Sequence, residues 1–474
     1  MTRAVVLGGG FAGVLAAAVL ARHADDVVLI ENDHYPSGPR PRRGVPQSHH
    51  NHVLVTGGVT ALRALLPGAV EELFARGAQP RGLPGDALIL APEGWFRRLD
   101  TGAGLIACSR GLLDQVVRTR ALGDDTISTW QGARALGLTG DATRVTGVRV
   151  VRENGPVETV GADLVVDATG RRSKAPRWLA EIGAPEVEEV TVSSGLAYST
   201  WVYQAPAELA ADLPAIMLHP RPSGGRPGQG ATLFPIEDGR WIVTLTGTRG
   251  GEPPADERGF LDFARSLRDP IVADLMAAAT PLGRIRPYRD TSNRRRFFER
   301  AALPDGFVAL GDAVVAVNPV YSHGMSVAAL GALRLDRELR RGGYAPSRSS
   351  RLRAAMAAEA ERSWLMAIRQ DGGHPEEGRR EVSPAERQVR TRLTRAALSN
   401  RELAADLFRA QTLMATDAGK DRSALFLALS GRPETLLTTE EAVTQYPALH
   451  KWWLSGPPAQ VRPDREPEGG ERRS

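Results

Sequence analysis

The chain has 474 residues, 60 Lys and Arg against 55 Asp and Glu, a formal net charge of +5 and one cysteine, Cys108. That length has room for two or three domains around a large core, and a mild charge excess with scattered arginines argues against a nucleic-acid partner. A lone cysteine excludes an internal disulfide, and no apolar run reaches membrane-spanning length, so the expectation is a soluble cytoplasmic protein with no membrane span.

The first stretch, "AVVLGGGFAGVLAAAVLARHADDVVLIEND", predicts strand, glycine loop, helix and second strand. Val5 to Leu7 is the strand, and no signal peptide is expected ahead of it. Gly8, Gly10 and Gly13, with Phe11 and Ala12 between them, fall on the G-x-G-x-x-G spacing. The first glycine allows the tight turn, the second lets backbone N–H groups approach a pyrophosphate, and the third lets the helix pack on the strand. The helix N-terminus adds a partial positive charge. Glu31 ends the second strand about twenty residues on, where an acid binds ribose hydroxyls.

Further along, "GVTALRALLPGAVEELFARG" (Gly58 to Gly77) and "SRGLLDQVVRTRALG" (Ser109 to Gly123) are helical in period. Two alternating runs meet at Asn154-Gly155, a hairpin signal, and the strand Leu164 to Val166 ends in Asp167-Ala168-Thr169-Gly170. Residues 183–300 turn β-rich, with a second hairpin through Asp238-Gly239. Tyr198, Trp201, Tyr203 and Trp241 lie on these strands; core packing comes first, lining of an apolar substrate pocket next. "NRRRFFER" (Asn293 to Arg300) reads as a solvated surface loop.

Strand, loop and helix return in "GFVALGDAVVAVNPVYSHGMSVAALGALRL", and helices rich in Ala, Arg and Glu follow. The tail from Gly456 is polar and Pro/Gly-rich, and disorder is expected there. The division expected is 1–182 for the first part of an FAD-binding domain, 183–300 for a β-rich substrate domain and 301–340 for the return segment. A C-terminal helical region, 341–455, and the tail, 456–474, complete it. The fold class is α/β: a Rossmann-like FAD-binding domain with an inserted β-rich substrate domain and a C-terminal helical region.

One glycine loop cannot separate NAD from FAD, but two distant segments can. Gly311-Asp312 ends a strand where a carboxylate can accept hydrogen bonds from a ribityl chain. Gly324 opens a helix whose N-terminus suits the N1/C2=O edge of an isoalloxazine. With "DLVVDATGRRS", whose Asp167, Gly170 and Ser173 mark a third strand end, the chain resembles the FAD-dependent aromatic-hydroxylase-like monooxygenases over roughly residues 1 to 340. "RRGVPQSHHNHVL", "IACSRGLLD", "PIEDGRWIVTLTGTRGGEPPADERGF" and "NPVYSHGMS" are similar to the flavin epoxidases of polyether polyketide biosynthesis.

The resemblance implies that Gly8, Gly10, Phe11, Ala12 and Gly13 hold the FAD pyrophosphate and Glu31 the ribose. It puts Arg42 and Gln47 on a segment approaching the flavin, and Arg110 at the pyrophosphate or ribityl region. Asp167, Gly311 and Asp312 are strand-end contacts, and Gly324 and Met325 meet the ring through their backbone. Ser322 and His323 are candidate flavin-face residues. Ser322 stands where the epoxidase pattern has glycine, and His49 where it has arginine.

The implied reaction is oxygen insertion from O2, with NADPH or NADH as transient reductant, through a flavin C4a-hydroperoxide attacked by an alkene. The substrate would be hydrophobic, a small molecule or a carrier-bound polyketide, and a flavin reductase is an alternative electron source. The second reading is a redox-neutral FAD-dependent cyclase. No metal is expected, because no Cys or carboxylate completes ligand spacing around His49, His50 and His52.

Overall fold

The computed structural model describes residues 1–153, 155–210, 212–221, 227–343, 346–371, 383–414 and 435–456. Asn154 of the first hairpin signal and the tail beyond Gly456 lie outside them.

The first strand, Arg3–Leu7, is central in a five-stranded sheet because every residue from Ala4 to Leu7 is apolar and buried. Asp26–Ile30 and then Ile127–Trp130 flank it on one side, Leu164–Asp167 and then Phe307–Ala309 on the other, all parallel. The chain leaves Leu7 between neighbours that lie on opposite sides, which is the crevice where open α/β sheets bind ligands. Helix Phe11–Leu20 is almost wholly Ala, Val and Leu, and it packs between this sheet and the long helix Gly324–Gly342.

A second sheet has seven strands, in the order Thr280–Tyr288, Ala197–Gln204, Arg240–Gly247, Gln229–Ile236, Ala215–Leu218, Ala87–Ala91 and Gly94–Trp95. It is therefore larger than residues 183–300, since Ala215–Leu218 pairs in parallel with Ala87–Ala91 from the first part of the chain. The Asp238-Gly239 hairpin forms as expected, with φ of 61° and 63° at its two central residues, the primed-turn geometry that twists with the strands.

Two expectations are corrected. The helical run 58–77 is two helices, Thr56–Leu65 and Ala69–Ala75, because Pro67 offers no N–H and Gly68 takes φ 81°. "NRRRFFER" is not a surface loop: Asn293–Arg296 is a strand, and Arg295 and Arg296 are each 3 % exposed. Their charges are met at 2.8 Å by Glu299 and Glu189 respectively. Arg296 also donates to the carbonyls of Ala313 and Arg171 at 3.0 Å, so it braces the turn that carries Asp312.

After Gly342 the chain is helical. Ser349–Asp371 lies along Gly324–Gly342, and Arg401–Gln411 packs beside the strand Ala103–Ala107. Pro447–Ser455 joins Glu257–Arg265 and Ile271–Ala278 behind the seven-stranded sheet. No described helix is long and apolar enough to cross a membrane.

Candidate active site

Three strand ends converge. A Cβ on Gly311 would meet the Cβ of Ala12 at 3.0 Å, and a Cβ on Gly324 would stand 3.4 Å from an Asp312 carboxylate oxygen. A Cβ on Gly13 would lie 1.8 Å from the Gly8 carbonyl oxygen, so the helix can seat on the strand only with glycine there. At Gly10 a Cβ would meet nothing nearer than the Arg42 guanidinium at 3.9 Å, which leaves an open cradle at the helix mouth. Gly10, Phe11, Arg42, Asp114 and Arg118 line a small pocket there.

Glu31 is buried; it accepts hydrogen bonds from the backbone N–H of Gly9 at 2.6 Å and of Asp33 at 2.8 Å. Arg42 pairs with it at 3.1 Å and donates to the Gly9 carbonyl at 3.0 Å. Arg42 thus sits beside Glu31 and the glycine loop. Tyr35, which no motif flagged, donates its hydroxyl to the same carbonyl at 3.0 Å. The guanidinium groups of Arg42 and Arg118 both pack on its ring, 5.2 and 4.6 Å from its centroid. Burial pushes its phenol well up, so it remains a neutral donor.

Ser109 caps the helix Arg110–Ala121, and its backbone N–H donates to Glu237 of the Asp238-Gly239 hairpin at 2.9 Å. Arg110 is thereby fixed above Phe11, with Nε on Asp114 at 2.7 Å and its terminal nitrogens without a protein partner among the described residues. Asp312 accepts no hydrogen bond among the described residues. Burial raises its pKa, and Arg171, Arg110 and Arg296 oppose that rise. A carboxylate lacking donors, facing a helix N-terminus and near a guanidinium whose terminal nitrogens are unoccupied, fits a ligand carrying hydroxyls beside a phosphate. FAD is such a ligand.

Asp167 is spent within the protein. One oxygen accepts from the Thr169 backbone at 3.0 Å and hydroxyl at 2.6 Å, and the other from Ser173, so it positions the turn rather than offering an acceptor to the cofactor. Arg171, in the same motif, donates to the carbonyls of Ser292 and Val317 and so ties the turn to two distant segments. The Gln47 side chain, on the turn Pro46–His49, has no hydrogen bond among the described residues. Met325 buries its side chain in the core beside the first helix and offers only its backbone at the helix mouth.

The proposed flavin-face role of His323 is corrected. Its ring is 2 % exposed, bonded at 2.9 Å to Ser363 and at 2.9 Å to the carbonyl of Gln411, both on C-terminal helices. Burial holds it neutral. Ser322 before it has φ 58°, a left-handed conformation that explains glycine in the related pattern. The loop is held from behind. Asp371 accepts from the Tyr321 hydroxyl at 2.6 Å, from Asn293 at 2.7 Å and from Asn318 at 3.2 Å. Nothing in the sequence near Asp371 announces this, because its partners lie at least fifty residues away.

The four aromatic residues divide by parity. Tyr198 stacks on Tyr288 at 5.1 Å, with the His50 ring edge-on at 4.7 and 5.3 Å, on the sheet face toward the glycine-loop body. His50 also bonds Thr200 at 2.9 Å. Trp201, Tyr203 and Trp241 point to the other face, into a core with Phe260 and Trp452, so they do not line a substrate pocket. Among the described residues no three His, Cys, Asp or Glu side chains gather as a metal site.

A model of FAD-dependent oxidoreductases matches residues 4–172. Protein Rv3254 of Mycobacterium tuberculosis is 30% identical over 382 residues, 76% of each chain. The chain belongs to the FAD-dependent oxidoreductases, in one family with Protein Rv3254. The fold is shared with flavin-dependent brominase Bmp2, at 16% identity over 90% of this chain and 98% of that one, with a TM-score of 0.61. It is shared equally with p-nitrophenol 4-monooxygenase PnpA from Pseudomonas putida DLL-E4, at 16% identity over 87% and 99%, TM-score 0.62. The Diels-Alderase PyrE3 aligns at 17% identity over 88% and 81%, TM-score 0.59. This FAD-dependent monooxygenase-like fold thus hosts several chemistries.

Asp312→Ala is expected to weaken FAD binding about 10- to 100-fold, the loss of one charge-assisted hydrogen bond (about 1.5–3 kcal/mol), measured by flavin fluorescence on titration. Tyr321→Phe should cost about 2 kcal/mol in denaturant unfolding, and an unchanged midpoint would show that the Asp371 contact holds nothing. Burial pushes the His50 pKa down to about 3 from 6.5. Its stability contribution is present above pH 6.5 and is lost as pH falls toward 3, about 2 kcal/mol of it by pH 5. Unfolding curves for wild type and His50→Phe between pH 7.5 and 5 should therefore differ in pH slope.

Proposed function

We propose that this protein is an FAD-dependent monooxygenase that places one atom of O2 on a hydrophobic, electron-rich substrate, with an alkene of a polyketide-type chain as the acceptor. The observation that carries the reading is the seat formed by Arg110, Asp312 and the N-terminus of helix Gly324–Gly342, with Tyr288 of the Tyr198–Tyr288–His50 wall near enough to feel the Asp312 carboxylate. Gly8, Gly10 and Gly13 with Arg110 would hold the pyrophosphate, Glu31 the ribose and Asp312 the ribityl hydroxyls. When bound, FAD supplies the reduction of O2 and the electrophilic oxygen.

The ionisable groups of the wall favour alkene over phenol. Hydroxylating a phenol calls for a base that removes its proton, whereas epoxidation does not. His50 is kept neutral by burial and its Nδ1 is tied to Thr200, while burial raises the pKa of both Tyr198 and Tyr288. Such groups orient a substrate and exclude water, but they are poor proton acceptors at neutral pH. Electrons would come from NADPH or NADH, or from a separate flavin reductase, and buried Cys108 suits a reducing cytoplasm.

The test is to incubate the flavin-loaded protein with a polyene, with and without NADPH or NADH, in air, in 18O2 and under nitrogen. Incorporation of one labelled oxygen with equivalent reductant consumption is expected. Product formed with neither oxygen nor reductant would replace this reading with the redox-neutral cyclase.

A further inference from the structure

The strand Thr280–Tyr288 is the free edge of the seven-stranded sheet, and its pairing with Ala197–Gln204 is broken once. Tyr288 faces Tyr198 and Arg286 faces Thr200, but the next partners are Leu282 and Val202, so three residues on the edge oppose Trp201 alone. Gly283 takes φ 65° there, and its carbonyl accepts from the Trp201 indole at 3.3 Å. Bulges of this kind re-aim side chains beside ligand sites.

Here the re-aimed residue is Arg284, beside Arg286, which keeps regular register opposite Thr200. Neither has a hydrogen bond or ion pair among the described residues, in contrast to Arg171, Arg172, Arg294, Arg295 and Arg296, which all have carboxylate partners. Arg286 shares the face of Thr200, to which His50 is bonded, so its guanidinium stands beside the turn Pro46–His49. Burial is the main cause that lowers the His49 pKa; Arg286 and then Arg284 lower it further, and no carboxylate opposes them. The rim of the aromatic wall is thus cationic and uncompensated.

We infer that Arg284 and Arg286, with His49 beside them, form an oxyanion subsite that binds a carboxylate group of the substrate while its hydrocarbon part lies against Tyr198 and Tyr288. Two unpaired guanidinium groups supply forked donors matched to a carboxylate. The inference rests on the reading of the aromatic wall as the substrate side, and it narrows the substrate class to organic acids. A plain protective role for edge charges would place cations along the strand without regard to ligand charge.

The test uses the FAD-loaded protein with geranic acid and methyl geranate, titrated at pH 7.5 and followed by the change in bound-flavin absorbance. The acid is expected to bind at least ten-fold more tightly than the ester. Arg284→Gln combined with Arg286→Gln should erase that preference, with FAD content and melting temperature unchanged, and Arg→Lys at both sites should restore part of it. Equal affinity of acid and ester, a preference that survives in the double variant, or no binding of the acid at millimolar concentration overturns the inference. Binding is read without turnover, so this result is separate from the oxygen and reductant dependence that tests the monooxygenase reading.

Discussion

Leu7, Asp167 and Ala309 stand side by side in parallel register, and the site follows from that alignment. Each strand releases its chain at the same level and edge of the sheet, so the glycine loop, the Asp167 turn and the Gly311-Asp312 turn emerge together. Parallel pairing needs a long crossover between neighbours, and this chain fills the second crossover with most of the larger sheet. The crossover that joins these parallel strands therefore also carries Tyr198 and Tyr288. Shifting one strand by a single residue would exchange the side chains it sends to the cores on the two faces of the sheet and separate the loops.

The C-terminal helices serve the site from behind. Asp371 gathers Tyr321, Asn293 and Asn318, and His323 is fixed between Ser363 and Gln411. Between these anchors Ser322 is held left-handed, a conformation that costs a non-glycine residue about 1–2 kcal/mol. A buried polar network whose members are all satisfied can impose such a conformation, because breaking it leaves desolvated groups unpaired. The loop before helix Gly324–Gly342 is thus shaped by residues outside any nucleotide-binding motif.

Much of this was legible in the sequence where local chemistry dictates form. The glycine loop, the acid at position 31 and the Asp238-Gly239 turn depend on neighbouring residues, and they appear where their spacing puts them. Asp312 was legible for the same reason, a lone acid at the end of an apolar strand. The misreadings involve distance or parity. Trp201 and Tyr203 differ from Tyr198 by an odd number of residues and so face away from it, a distinction lost when aromatic content alone is weighed. The arginines at 295 and 296 look solvent-loving until their partners at 299 and 189 are known. His323 beside a glycine helix start invites a role in chemistry, whereas its partners come from positions 363 and 411.

Sheet closure by Ala87–Ala91 has a mechanical outcome. The polypeptide is stitched back and forth between its two bodies, strand by strand, so neither can swing as a free module on a single hinge. A fragment cut at the ends of the inserted segment would leave Ala215–Leu218 with a naked border.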